Sequence, residues 1–180
     1  LPHAVRPPQT SLWFNLEVSA RRYPDKPAVV FFDRTVSYAE LQRDAERVAA
    51  WLHAHGVCRG DRVVLFMQNS PQFVAAYYGI LRANAVVVPV NPMNKAEELG
   101  HYITDPEAKV AIAAADLAPE LCKADAALAP GQRLAHLLGV HYRDAMPDAC
   151  FAPDSDLPPL WRDWLGTRHP LPALASGQAH

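Results

Sequence analysis

Three short apolar runs separated by helical segments constrain the fold of this chain more than any other feature. The runs span residues 62–67, 85–90 and 109–113, and none of them alternates apolar with polar residues. A strand buried on both faces has this composition, and such strands occur in parallel sheets that helices cover on both sides. Strand, helix, strand, helix and strand at these short spacings predict a doubly wound α/β fold with a mostly parallel sheet flanked by helices.

The segments beside the first run carry helix-start signals. Ser37 is followed three residues later by Glu40, which is the capping-box pattern, and an apolar stripe at helical spacing continues over residues 41–52. Ser70 offers a capping hydroxyl directly before Pro71, a residue that is favoured at the first helical position. We therefore expect one helix before the first run and another after it.

The amino-terminal part adds a helix and a hairpin. Residues 11–22 have helical spacing until the prolines of residues 23–27 end the helix. Residues 28–32 are apolar and predict a strand, residues 33–34 predict a tight turn, and Thr35 begins the return strand. The sequence therefore predicts a short β-hairpin near the amino terminus.

Proline content divides the chain into three parts. Residues 1–10 hold three prolines, and we expect a flexible arm there. Residues 11–115 form the predicted α/β subdomain. Residues 116–180 lose clean periodicity and carry eight of the seventeen prolines. For this last part we expect a loop-dominated continuation, with a helix over residues 120–129.

Composition and charge argue against several functional classes. The formal net charge is −2, and no run of Lys and Arg marks a nucleic-acid interface. Cys58, Cys122 and Cys150 are odd in number and widely spaced, which predicts neither a disulfide framework nor a metal-binding pair and fits a reducing, cytoplasmic compartment. No apolar stretch is uninterrupted enough for a transmembrane span, and the amino terminus does not have the pattern of a signal peptide.

The common signatures of catalytic chemistry do not occur in the sequence. The eight glycines build neither a G-x-G-x-x-G pattern nor a P-loop, and G-x-S-x-G is missing as well. His53 and His55 lie two residues apart on a predicted helix, so they point to different faces and fit a helix-end role better than a shared metal. His136 and His141 have no Cys or carboxylate pattern nearby. We therefore predict no catalytic residue and no metal ligand in this chain.

One polar turn stands out, residues 91–94, directly after the second apolar run. Ligands of open α/β sheets gather at the carboxyl ends of the parallel strands. Asn91, Met93 and Asn94 are therefore the candidate residues for lining a substrate cleft. In a purely structural interpretation, Asn91 only caps the turn and Pro92 fixes its backbone. The sequence favours this structural interpretation over a role in the cleft.

Five segments follow one another in fixed order and spacing within residues 11–115. They read TVSYAEL at 35–41, GVCRGDRV at 56–63, MQNSPQF at 67–73, YYGILRA at 77–83 and VPVNP at 88–92. Together they resemble the amino-terminal region of AMP-forming acyl-CoA synthetases, which belong to the adenylate-forming superfamily. The form of the last segment, with Glu97, Glu98 and Leu99 after it, resembles the fatty-acyl and aryl-CoA ligase branch more than the peptide-synthetase branch.

The resemblance implies that the parent enzyme activates a carboxylic acid with ATP and Mg²⁺, giving an acyl-adenylate that coenzyme A then captures. The family's phosphate-binding loop, its acidic residues for metal and ribose, and its carboxyl-terminal lysine have no counterpart in residues 1–180. The chain opens at Leu1 and stops before that loop, so we expect a truncated amino-terminal part that is inactive alone. Its expected partners are the small-molecule substrates and the remainder of the enzyme, with a homodimer also allowed. ATP, Mg²⁺ and CoA are expected cofactors of the full-length parent and not of this chain.

The main alternative is a non-catalytic α/β module that binds or scaffolds a partner. An exposed apolar face would favour the truncated enzyme, because such a face normally packs against a missing part. A compact domain without such a face would favour the module. No motif in the sequence supports a small hydrolase or an oxidoreductase.

Overall fold

The computed structural model describes residues 9–176, so only residues 9 and 10 of the predicted amino-terminal arm fall within it. Six helices and six strands lie in this described part. The helices are α1 (Trp13–Arg22), α2 (Tyr38–Ala54), α3 (Pro71–Arg82), α4 (Ala96–Thr104), α5 (Ala118–Ala127) and α6 (Pro159–Gly166). The strands are β1 (Pro27–Phe31), β2 (Arg34–Ser37), β3 (Arg62–Phe66), β4 (Val86–Pro89), β5 (Val110–Ala114) and β6 (His136–Val140). Short 3-10 turns lie at Pro130–Gln132, Tyr142–Ala145 and Asp148–Phe151.

Four strands form a parallel sheet in the order β4-β3-β5-β6. The strand β3 pairs with both β4 and β5, and its Val64 lies opposite Val88 on one side and Ala111 on the other. The strands β1 and β2 pair antiparallel as a separate hairpin. The predicted fold class, a doubly wound parallel sheet with an amino-terminal hairpin, is therefore confirmed.

Alternate residues of β3 enter two different cores, because successive side chains of a strand point to opposite faces. Val63 and Leu65 pack in a cluster with residues of α2 and α3. Val64 and Phe66 pack in a second cluster with residues of α4 and α5. All four side chains are fully buried, which explains why the first apolar run shows no alternation.

The second apolar run differs from the prediction that it is buried on both faces. The strand β4 is one of the two edge strands of the sheet, and Val86 is 47% exposed. An edge strand has a neighbour on one side alone, so less of its surface is covered. The hairpin also differs slightly, because its turn consists of Phe32 and Asp33, one residue earlier than predicted.

Both predicted helix starts are confirmed at atomic detail. The backbone amide of Glu40 donates to the Ser37 hydroxyl at 3.2 Å, and the amide of Ser37 donates to the Glu40 carboxylate at 2.9 Å. At α3, the Ser70 hydroxyl accepts from the amide of Phe73 at 3.1 Å, and Pro71 occupies the first turn. These caps satisfy amide protons that have no partner inside the helix.

Gly79 allows α2 and α3 to approach each other closely. A Cβ atom at this position would lie 2.6 Å from the Cβ of Val48 and 2.8 Å from the carbonyl oxygen of Ala45. Both distances are far shorter than a carbon–carbon or carbon–oxygen contact. The glycine is therefore a packing residue between the two helices.

The chain beyond residue 116 holds more regular structure than its proline content suggests. The predicted helix near residues 120–129 is found as α5, while β6 and α6 have no clear signal in the sequence. Asp125, which is fully buried, accepts from the amide of Leu134 at 2.7 Å and from the amide of Ala175 at 3.3 Å. This carboxylate fixes the segment before β6 and the last described residues against α5.

Candidate functional site

The carboxyl ends of β3 and β5 mark the point where the sheet reverses its order. After β3 the chain continues to β4 on one side of it, and then crosses to β5 on its other side. Ligands of open α/β sheets bind in the crevice outside the carboxyl ends of the strands at such a point. The loops that begin at Met67 and at Ala115 leave the sheet there, and they define the candidate site.

Side chains from distant parts of the chain meet at this edge. The backbone amide of Gln68 donates to the hydroxyl of Tyr142 at 2.8 Å. The indole N–H of Trp164 donates to the Asp116 carboxylate at 3.1 Å, and the rings of Trp164 and Tyr142 have centroids 4.8 Å apart. These contacts link the loops after β3 and β5 to the 3-10 turn after β6 and to α6.

The surroundings of Tyr142 favour the neutral, protonated form of its phenol group. Burial raises the pKa of Tyr142 well above its ordinary value, and the nearby Asp116 charge acts in the same direction, while the hydrogen bond from Gln68 acts against both. The neutral phenol oxygen accepts the hydrogen bond from the Gln68 amide. The second carboxylate oxygen of Asp116, Oδ1, is buried and accepts no hydrogen bond from the described residues.

An open groove lies beside this cluster and has a volume of about 590 Å³. Leu160 is 79% exposed there and Trp161 is 45% exposed. The rings of Phe32 and Trp161 lie 5.5 Å apart, and those of Trp161 and Trp164 lie 5.6 Å apart. We call this surface the aromatic groove, and it is lined by Phe31, Phe32, Gln68, Asn69, Leu160, Trp161 and Trp164.

Phe32 reaches the aromatic groove from an unusual backbone conformation. Its φ angle is 48°, in the left-handed region that bulky residues rarely adopt. Two-residue hairpin turns favour Asn or Gly at such positions. The hairpin turn thus carries an aromatic ring in place of a residue suited to the turn, and that ring packs against Trp161.

The three predicted cleft residues lie at the carboxyl end of β4, on the far side of β3 from β5. The Asn91 side chain accepts from the amide of Met93 at 3.0 Å, which closes a local turn. Met93 is 78% exposed, and Asn94 lines a shallow recess beside α4. All three lie on the same edge of the sheet as Gln68, but the recess that Asn94 lines is separate from the aromatic groove, and Asn91 and Met93 line neither. Their role in substrate binding stays a prediction.

The sequence analysis missed the cluster at the reversal point. Asp116 comes two residues after a buried strand, and a polar residue at that position could have been predicted to lie at the carboxyl edge of the sheet. Trp161 and Trp164 are three residues apart, the spacing of one helix face, although the surrounding prolines obscured it. Tyr142 had no local signal, because its partner Gln68 is distant in the chain.

Two of the histidines that the sequence analysis treated separately meet at the amino-terminal edge of the sheet. The ring of His55 stacks on Trp51 at 4.0 Å and lies 4.8 Å from the ring of His136. His55 places a ring nitrogen 2.8 Å from the carbonyl oxygen of Trp51 in the last turn of α2, and His53 places one 3.3 Å from the carbonyl oxygen of Val57, which follows the helix. Across residues 9–176, no three His, Cys, Asp or Glu side chains come together to hold a metal ion. Nor does any helix in that range have the length and apolar character needed to cross a bilayer.

The chain matches a family model described as AMP-binding enzyme over residues 16–160. It is 36% identical over 123 residues to a long-chain-fatty-acid–CoA ligase of Bacillus subtilis (strain 168), a match that covers 68% of this chain and 22% of the ligase. It is 46% identical over 92 residues to the salicyl-AMP ligase / salicyl-S-ArCP synthetase of Mycobacterium tuberculosis, with 48% of this chain and 16% of that protein covered. The chain thus spans about a fifth of the length of the curated relatives it matches.

A comparison with solved structures also finds acyl-CoA synthetases with a similar fold. A Mycobacterium tuberculosis fatty acyl CoA synthetase superposes on this chain with a TM-score of 0.66 and 33% sequence identity. The superposition covers 72% of this chain and 26% of that structure.

Proposed function

This chain belongs to the AMP-binding enzyme family, and from this premise we propose that it is the amino-terminal part of an AMP-forming ligase for fatty or aryl carboxylic acids. The whole protein joins a carboxylate to the α-phosphate of ATP and releases pyrophosphate. The thiol of coenzyme A then attacks the acyl carbon of the adenylate and releases AMP.

The observation that carries this proposal is the continuous family match over residues 16–160. The names of the relatives support the substrate class, because one acts on long-chain fatty acids and another forms salicyl-AMP. The exposure of Leu160 and Trp161 in the aromatic groove also favours part of a larger enzyme over a self-contained binding module, since larger proteins cover such surfaces. The three free cysteines support a reducing, cytoplasmic location.

The nucleotide chemistry is not assigned to any residue of this chain. Phosphoryl-type transition states need positive charge near the phosphates, which cations, amides and metal ions supply. The described residues gather no acidic donor set that fits Mg²⁺. What this chain contributes is the rigid α/β layer and the hydrogen-bonded cluster around Tyr142 and Asp116 at its carboxyl edge.

The proposal is tested with two proteins in an ATP–pyrophosphate exchange assay. One is the 180-residue chain, which should show no exchange with fatty or aryl acids. The other is a chimera in which residues 16–160 replace the matching segment of the Bacillus subtilis ligase, and it should show exchange with a long-chain fatty acid. Exchange by the isolated chain would contradict the first expectation. A chimera that folds with the parent's melting temperature but is inactive would contradict the second.

A further inference from the structure

The rings of the aromatic groove leave room for a further ring. The planes of Phe32 and Trp161 are tilted by 51° at a centroid distance of 5.5 Å, and those of Trp161 and Trp164 by 71° at 5.6 Å. Neither pair is a parallel stack, and 45% of the surface of Trp161 is exposed. Aromatic rings favour offset or edge-to-face contacts with one another at centroid distances of ~4.5–7 Å. The groove can therefore receive an aromatic ring from outside the chain.

The backbone of the hairpin holds one of these rings at an energetic cost. The left-handed conformation of Phe32 is unfavourable for a bulky residue, and Asn or Gly would fit the turn without that cost. The ring is still 38% exposed, so packing inside the chain offsets only part of the cost. Backbone strain of this kind clusters at functional sites. The position of Phe32 therefore indicates a role for its ring in the groove beyond packing of the hairpin.

The lining of the aromatic groove carries no charged side chain. The Asp116 carboxylate, which accepts from the indole N–H of Trp164 at 3.1 Å, is not part of the lining. An anionic ligand would thus find no cation in the groove, and a cationic ligand would find no carboxylate. The side-chain amides of Gln68 and Asn69 are exposed and offer hydrogen bonds to a polar edge. This lining favours a neutral ligand.

The place of the aromatic groove in the fold suits a ligand site. Gln68 and Asn69 follow β3 at the reversal point of the sheet, where open α/β sheets bind their ligands. The hairpin turn and α6 supply the other walls, and the volume of about 590 Å³ is within the range of small-molecule sites. Such sites are common where two parts of a protein meet, so a bound ligand is compatible with a remaining part of the enzyme that borders the groove.

We propose that the aromatic groove binds a neutral, planar aromatic molecule. Its ring packs on Trp161 and against Phe32 and Trp164, and its polar edge meets the amides of Gln68 and Asn69. This ligand is distinct from the ATP, carboxylate and CoA of the proposed function. The two proposals can therefore fail independently, because one is tested by binding to this chain and the other by the activity of the chimera.

The first experiment follows the indole N–H signals of the four tryptophans in the ¹⁵N-labelled 180-residue chain. The probes are 2-naphthol, its saturated analogue decahydro-2-naphthol, and tetramethylammonium. We expect 2-naphthol to give saturable shifts at Trp161 and Trp164 and none at Trp13 and Trp51, which lie outside the groove. It should bind about fivefold tighter than the saturated analogue, because both share the hydroxyl and only one has an aromatic ring. Tetramethylammonium should not saturate these signals.

The second experiment tests the rings by substitution. Trp161→Leu keeps an apolar side chain but removes the ring, and it should weaken 2-naphthol about fivefold. Phe32→Asn places a residue suited to the turn, so the fold should be retained while the affinity falls about threefold. Tyr102→Leu, at a 39% exposed aromatic residue on α4, is the matched control and should leave the affinity unchanged. Thermal unfolding of each variant shows that the fold is retained.

Three outcomes would overturn the proposal. Equal affinity for 2-naphthol and its saturated analogue would show that the groove is only an apolar surface. Saturable binding of tetramethylammonium as tight as that of 2-naphthol would assign a cation site, since ring faces also attract cations. Unchanged affinity in folded Trp161→Leu would place the bound ring elsewhere, and this result does not depend on whether Phe32→Asn folds.

Discussion

At the scale of single residues, Ser37 and Glu40 show how two side chains start a helix at the end of a strand. Glu40 accepts from the Ser37 amide at 2.9 Å and pairs with Arg34 at 3.3 Å. The amide of Ser37 is the main reason that the pKa of Glu40 is below its ordinary value, and Arg34 acts in the same direction against partial burial. The ionised carboxylate is therefore a part of the folded structure.

Stability should respond to pH through this residue. The folded-state pKa of Glu40 is lowered, so its contribution is present above the unfolded pKa and is lost as pH falls through the folded value. Glu40→Gln should reduce the free energy of unfolding by about 0.5–1 kcal/mol at pH 7, and the difference from wild type should shrink toward pH 3. Urea unfolding at several pH values measures this.

The matched control for this substitution is Glu97→Gln, at an exposed glutamate in the first turn of α4. It should change the free energy of unfolding by less than about 0.5 kcal/mol. A Glu40→Gln variant whose deficit stays constant from pH 7 to pH 3 would contradict the assigned role of the charge.

The residues that the sequence analysis identified correctly are those with local partners. Ser37 and Glu40 are three positions apart, so the spacing itself reveals the interaction. Gln68 and Tyr142 are brought together by the order of the strands, and no periodic pattern in the sequence predicts that contact. Local hydrogen bonds are thus predictable from one sequence, while the cluster at the reversal point needs the sheet topology.

At the scale of elements, the contact of α2 with α3 depends on the missing side chain of Gly79. The Cβ of any other residue would lie within 3 Å of both Val48 and the Ala45 carbonyl oxygen. Val48 is β-branched and holds its χ1 angle firmly, and a backbone carbonyl cannot rotate away. The two helices would therefore have to move apart to accept a larger residue.

Gly79→Ala should lower the free energy of unfolding by about 1–2 kcal/mol, because overpacking outweighs the higher helix propensity of alanine. Gly100→Ala is the matched control on α4, where the added Cβ would meet only a Leu128 methyl at 3.8 Å. That variant should be unchanged or more stable by up to about 1 kcal/mol. Denaturant unfolding compares the two, and equal stability of both variants would contradict the packing role of Gly79.

The elements that the sequence analysis predicted are those with strong periodicity or clear caps. The central strands β3 and β5 are buried on both faces and read as apolar runs. The strand β6 begins with His136, contains Gly139 and is partly exposed at four of its five residues, so its sequence does not form an apolar run. The helix α6 begins at the second of two consecutive prolines, Pro159, and spans eight residues, so it has no clean helical pattern in the sequence.

At the scale of the whole molecule, one group of exposed apolar side chains lies together at the carboxyl edge of the sheet. Leu160, Trp161 and Phe32 all contribute large exposed side chains to the aromatic groove. Scattered single residues of this kind are normal on a protein surface, but a contiguous group indicates an interaction surface. The isolated chain should therefore bind apolar dyes and associate with itself through this groove.

Leu160→Ser, alone and with Trp161→Ser, should lower the fluorescence of bound anilinonaphthalene sulfonate by about half or more. Leu160 is largely exposed, so its substitution should change the free energy of unfolding by no more than about 0.5 kcal/mol. Val86→Ser is the control, because Val86 is an exposed valine on the opposite side of β3 from β5. Equal dye binding by all variants would show that the groove is not the responsible surface.

The sheet order β4-β3-β5-β6 also has a consequence in time. The central strand β3 needs β5 as its second neighbour, and a ribosome makes β5 only after α3, β4 and α4. At ordinary synthesis rates the wait is roughly 2 to 10 seconds. During this interval one edge of β3, of which residues 63–66 are all apolar, is open on the nascent chain. Chaperone capture should accordingly be strongest for nascent chains whose emerged part ends between Pro89 and Val110, and it should fall once β5 has emerged.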